Sequence, residues 1–282
     1  MRKVLLFFCL SISFFLFSQE DEKKKDSIPK NWNFNTKVTF LLNQSTFSNW
    51  TAGGANTVAG NINIVQDLNY KKDNWNWDNK ITSNYGLSYV DDKGTRKTDD
   101  RLEYNTLVGY KSKNNWFFSF ISNLRTQYTR GFDYTKDPKV VISDPFSPAY
   151  LSFGPGMLWK KSKTKYVNIA PSTSRFTFVS DKFSGSFGVD EGKNSSFSLG
   201  FNLSSYYKFD LAKNISMENI FALYSDYLDR PENIDIDYQI NFLMKINKYL
   251  STNLGFHTII DDNASTRVQF KQLFGLGLNY VI

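Results

Sequence analysis

Residues 74–90 read NWNWDNKITSNYGLSYV, and the two parities of this run differ in kind. Trp75, Trp77, Ile81, Tyr85, Leu87 and Tyr89 fall on one; Asp78, Lys80, Thr82, Asn84, Gly86 and Ser88 fall on the other. Successive side chains of a strand point to opposite faces, so the run presents one apolar face and one polar face. The apolar face is itself ordered: two tryptophans begin it, Ile81 sits in the middle and tyrosines end it. Aromatics at both edges of an apolar band are what a bilayer asks of a spanning strand. The run is also far longer than the roughly 5–6 residues of an ordinary strand.

Working outward, the same alternation recurs from residue 33 to the end of the chain. Phe34, Val38, Phe40 and Leu42 form one such set, and Trp116, Phe118, Phe120 and Leu124 another. Ile234, Ile236, Tyr238, Ile240, Phe242 and Met244 form a third. Val268, Phe270, Phe274, Leu276, Leu278, Tyr280 and Ile282 close the series. The fold predicted is all-β, a transmembrane antiparallel β-barrel of about 12 strands in up-and-down order, an even number as closed bacterial barrels have. The weakest strand is 166–179, where Pro171 precedes Ser172, Thr173 and Ser174. Proline has no N–H for the ladder, so a bulge or an early strand end is expected there. A large soluble β-sandwich has strands of the same period, but gives no reason for tryptophans to gather at one strand end.

Short turns are expected at 71–73, 113–115, 162–165, 211–213 and 247–248, alternating with longer links at 43–55, 91–97, 131–148 and 180–193. Bacterial barrels combine short periplasmic turns with longer outer loops, which places both termini in the periplasm. Trp75, Trp77, Trp116 and Trp159, with Trp32, fall at the short-turn ends and form the expected interfacial girdle. Tyr70, Tyr110, Tyr166, Tyr207, Tyr249 and Tyr280 belong to the same layer; Tyr89, Tyr128, Tyr150 and Tyr227 mark the other side.

Residues 1–18 read as a secretory signal, with Arg2 and Lys3 before an apolar run. Residues 19–31 form a charged periplasmic tether with little to bury, and residues 32–282 the outer-membrane barrel. Cys9 lies within the signal, so the mature chain has no cysteine for disulfides, thiolate metal sites or a thiol nucleophile. The formal charge of +7 comes largely from lysines scattered through turns and requires no nucleic acid. Mean hydropathy is negative, as it is for barrels whose inward polar residues mask the lipid-facing ones.

The segment Asn43-Gln44-Ser45-Thr46-Phe47-Ser48-Asn49-Trp50-Thr51-Ala52-Gly53-Gly54-Ala55-Asn56 resembles the NQxxFxNWxxGGxN signature of the DUF3078 proteins, an uncharacterised Bacteroidetes family. Phe187-Gly188-Val189-Asp190 with Gly192-Lys193, Asp235-Ile236-Asp237-Tyr238 and Lys245 to Ser251 extend the resemblance over nearly the whole mature chain. It implies an outer-membrane location and supplies no catalytic residue. Leu278, Tyr280 and Ile282 resemble the C-terminal strand recognised by the barrel-assembly machinery, without its usual final aromatic.

No catalytic or cofactor-binding residue and no cofactor is expected. His257 shares its parity with Ser251, Asn253 and Gly255 and should face the lumen, the wrong wall for a barrel lipid hydrolase. Gly53-Gly54 has no following GK[ST], so it reads as a turn beside a packed Trp50. Asp226, Asp235 and Asp237 are a weak Ca²⁺ candidate at the outer rim, set against a solvated rim paired with Arg230 and Arg267. The lumen-facing charges are Asp67, Asp78, Lys80, Arg101, Glu103, Lys111, Arg125, Glu218, Lys245 and Lys271. Their mixed signs are able to pair across the interior.

The function expected is a passive channel for small solutes or ions. The alternatives are a non-conducting structural or partner-binding barrel and, third, an outer-membrane lipid hydrolase. The partners implied are outer-membrane lipid and lipopolysaccharide, with the barrel-assembly machinery during insertion; no nucleic acid is implied, and the residues name no protein partner.

Overall fold

The computed structural model describes residues 31–46, 55–91 and 93–281. The signal, the tether up to residue 30, and Phe47, Trp50, Gly53 and Gly54 lie outside the described residues. Among the described residues the chain runs through β1 (Trp32–Ser45), β2 (Thr57–Lys72), β3 (Trp75–Val90), β4 (Gly94–Lys111), β5 (Trp116–Thr126), β6 (Gly131–Asp133) and β7 (Val140–Ser143). It continues through β8 (Ala149–Ser162), β9 (Lys165–Phe178), β10 (Ser195–Ala212), β11 (Ile215–Asp226), β12 (Ile234–Lys245), β13 (Leu250–Asp261) and β14 (Ser265–Val281). All of these except β6 and β7 form one closed antiparallel barrel in which each strand pairs with the next and β14 returns to β1. The twelve-stranded up-and-down barrel expected from the alternation is therefore the fold.

Closure satisfies every strand edge, which a spanning sheet requires because lipid offers no hydrogen bonds. The outer wall carries the apolar parity: Phe118 is 61% exposed, Phe270 63% and Phe274 57%. Large apolar side chains left open in a continuous band belong against lipid. Several polar groups on this wall are covered. Asn79 accepts from the Tyr104 hydroxyl at 2.7 Å and from Thr106 Oγ1 at 2.9 Å. Ser83 accepts from Tyr128 at 2.9 Å, and Asn219 from Tyr238 at 3.0 Å. Each tyrosine supplies the hydrogen bond that water would otherwise give.

The bulge expected at Pro171 is present. Gly200 pairs with Thr173 but Asn202 pairs with Ala170, so Pro171 and Ser172 together oppose Phe201. Strand β8 lies close against this irregularity. A Cβ on Gly154 would sit 2.3 Å from the Ser172 carbonyl oxygen, so only glycine admits that approach. A second bulge, at Thr98, falls where Gly86 pairs with Asp99 and Leu87 with Lys97.

Two sequence expectations need correction, and a third gains detail. The link expected at 91–97 is shorter, because β3 runs to Val90 and β4 already starts at Gly94, which takes φ +69°. The link at 131–148 contains the β6–β7 hairpin. Tyr166 and Tyr150 face the lumen instead of the aromatic layers: Tyr166 stacks on Tyr206 at 5.4 Å, and Tyr150 lies under Arg125 at 4.9 Å.

The long loops have a small core of their own. Val179, Phe183 and Val189 are buried together, with Val141 of β7 and Phe187 packed against them. This gives Phe187-Gly188-Val189-Asp190 a structural role: Phe187 and Gly188 turn through positive φ and Val189 plugs the loop core.

Candidate functional site

The site is the lumen. Inward residues of β4 and β5 face inward residues of β12 and β13 from the opposite wall. Asp237 of β12 is the centre. Its Oδ2 accepts from Arg101 Nη2 at 3.4 Å and from Arg125 Nη1 at 3.1 Å, both from the far wall. Its Oδ1 lies 2.9 Å from His257 Nε2 and accepts from Gln239 Nε2 at 3.2 Å. Arg101 also meets Glu103 at 2.6 Å, and Glu103 accepts from Asn105 and Asn123 at 2.9 Å each. Every oxygen of the two carboxylates thus has a donor, the condition under which a charged group tolerates burial.

Toward the rim that carries the chain ends, a second contact crosses the bore. The Lys80 ammonium of β3 lies 4.9 Å from the Tyr206 ring of β10. Tyr206 donates to Glu218 Oε1 at 2.6 Å, and Asn241 donates to Glu218 Oε2 at 3.1 Å. On the flanks, Lys271 pairs with Asp99 at 2.9 Å, Lys160 with Asp78, and Arg175 with Asp235.

These contacts divide the lumen without filling it. A cavity of about 410 Å³ has Asp78, Lys160, Tyr166 and Arg175 on its wall. A second, of about 370 Å³, has Lys37, Asn61, Lys208 and Lys271 on its wall. Arg101, Lys80 and Tyr206 border both.

Most of the charges assigned to the lumen meet in this network: Asp67, Asp78, Lys80, Arg101, Glu103, Arg125, Glu218 and Lys271 all line one cavity or both. Lys111 and Lys245 end their strands and are exposed at the rim. Trp75, Trp77 and Trp116 are exposed on the outer wall, and Trp75 packs on Tyr110 at 5.0 Å. Trp159 pairs with Trp116 across β5 and β8. The triad Asp226, Asp235 and Asp237 is not brought together. Asp237 is held by the arginines and His257, Asp235 by Arg175, and Asp226 accepts from the Leu228 amide at 2.9 Å. The acids that do converge, within 4.8 Å, are Asp235, Asp261 and Asp262.

Sequence reasoning missed Asp237 as the hub and missed Tyr206, Tyr166 and Asp99 as lumen residues. Parity contained the signal for each, since they alternate with Ile236, Tyr207, Val167 and Leu102.

A closed antiparallel barrel with an apolar wall, aromatic edges and a polar interior defines an outer-membrane β-barrel protein. Residues 42–132 match the model of a family described as "Protein of unknown function (DUF3078)", which bears out the resemblance over that stretch. The resembling motifs after residue 132 lie beyond the matched segment. No curated protein matches the sequence. Among solved structures, the chain is similar to an outer membrane channel from Pseudomonas putida F1, at 10% identity and a TM-score of 0.40, over 93% of this chain and 99% of that one. It is similar to the translocator domain of the autotransporter NalP from Neisseria meningitidis, at 8% identity and a TM-score of 0.37, over 99% of this chain and 95% of that one. A third likeness is to OprB of Pseudomonas putida, at 8% identity and a TM-score of 0.35, over 89% and 94%.

Proposed function

We propose that the protein is a narrow passive channel for small polar solutes or ions, with no enzymatic role and both termini in the periplasm. One observation carries this reading: the Arg101–Asp237 bridge spans the bore yet leaves two cavities in it, both with charged and polar side chains on their walls. A barrel that served only as an anchor would gain by filling that space with packed side chains. His257 is held by Asp237 inside the bore, away from the lipid wall where a lipid hydrolase would act. Contact with outer-membrane lipid and lipopolysaccharide, and insertion by the barrel-assembly machinery, belong to the same proposal.

Liposome swelling tests it. Vesicles holding the folded protein should swell in amino acids or glycerol and resist swelling in a trisaccharide. Folded protein that admits none of these would remove the channel reading.

A specific feature favours a second reading, a partner-binding barrel. The β6–β7 loop leaves Val140 50%, Ile142 51% and Phe146 58% exposed. These apolar side chains stand on a loop beyond the barrel and are available to a protein partner.

A further inference from the structure

The two cavities differ in how their charges are balanced. Around the larger one most cations have an anion: Lys160 with Asp78, Arg175 with Asp235, Arg125 with Asp237, Lys80 with Asp67, and Arg101 with Glu103 and Asp237, while Lys163 donates to the Asn33 amide oxygen. The smaller one is not balanced. Lys37 of β1 and Lys208 of β10 line it from separate walls, both half-buried. Neither ammonium makes an ion pair or hydrogen bond among the described residues. Lys37 feels the charges of Lys208 and Lys245, and Glu218 is the acid nearby. Both Glu218 oxygens already accept hydrogen bonds, from Tyr206 and Asn241.

Two ammonium groups that share a partly desolvated space with one carboxylate, Glu218, leave an excess of positive charge that favours any anion that enters. Their surroundings reinforce this. Toward this rim the strands and turns are rich in lysine, and the acids are Asp67, Asp73, Asp78, Asp210 and Glu218. A mouth lined by one sign of charge raises the local concentration of the opposite ion.

We infer that the smaller cavity is an anion passage that binds small oxyanions, inorganic phosphate or a carboxylate, between Lys37 and Lys208. This rests on the channel reading and names the solute class for it. The larger, charge-balanced cavity has no such preference.

The test is the reversal potential of the folded barrel in a planar bilayer under a potassium chloride gradient. Wild type should prefer chloride over potassium several-fold, and added phosphate should reduce the chloride current. The double variant K37Q/K208Q should bring the preference close to unity and abolish the phosphate block, with K37Q alone intermediate. Heat-modifiable gel migration shows that each variant is folded. A cation preference, or a selectivity that the double variant leaves unmoved, would overturn the inference. If the folded barrel carries no current, the channel reading fails by itself. The anion site is then decided by the phosphorus NMR line of inorganic phosphate, which should broaden with wild type and not with K37Q/K208Q. No broadening with wild type would overturn it.

Discussion

Arg101 on β4 reaches Asp237 on the opposite wall at 3.4 Å, so this pair joins two facing walls of the barrel through its lumen. The pair is embedded, with Arg125, His257 and Gln239 completing the shell around Asp237. In a space only partly wetted, such a network holds its shape when every oxygen and N–H has a partner, and fails when one is removed.

Removing the acid should therefore destabilise the barrel. Asp237→Ala leaves Arg101 and Arg125 facing each other with only Glu103 between them. We expect a loss of about 3 kcal/mol, the range for a buried pair that loses one partner. Urea titration of the protein refolded into lipid vesicles measures it. An unchanged midpoint would mean that the pair is fully solvated.

The outer wall should show a depth-dependent cost. Phe120 lies midway along β5 on the exposed apolar parity, whereas Trp75 begins β3 at the edge of the band. Arginine at a mid-bilayer position costs roughly 2–4 kcal/mol and at the interface roughly 0–1. Phe120→Arg should accordingly shift the same urea titration far more than Trp75→Arg. Equal shifts would place the bilayer elsewhere on the barrel.

Gly154 should not tolerate a side chain. Its added Cβ would meet the Ser172 carbonyl at 2.3 Å, and the obstruction is backbone that no rotamer change relieves. Gly154→Val should cost about 1–3 kcal/mol by overpacking and disturb the Pro171 bulge. Gly192 has open space around its Cβ position but a φ of +80°, so Gly192→Asn, the side chain that best accepts that region, should cost less than Gly154→Val.

The barrel was legible because a strand exposed to lipid on one side and to a polar lumen on the other writes its two faces into parity. Pro171 announced its bulge for an equally local reason, the missing N–H. What parity does not encode is which inward residue meets which. That Arg101 finds Asp237 depends on strand order and stagger, set by all twelve pairings at once. Sequence proximity alone therefore groups Asp237 with Asp226 and Asp235 as rim acids. The loop core escapes for the same reason: Val141 and Val189 are distant in the chain and meet only in the folded structure. That β4 starts already at Gly94, with φ +69°, is a backbone feature that composition does not reveal.

The proposed orientation has its own test. An epitope placed between Lys136 and Asp137, in the β6–β7 loop, should be reached by antibody on intact cells. One placed after Ile282 should be reached only after the outer membrane is opened. The reverse pattern would invert the barrel in the membrane.

The most direct test of a bridged but passable lumen is single-channel recording of the mature protein beside the double variant R101A/D237A. Wild type should show small, discrete steps, and the variant larger ones, because the side chains that divide the bore are gone. A folded wild type that stays silent, with a variant that stays silent too, would contradict the account and make the lumen network a plug.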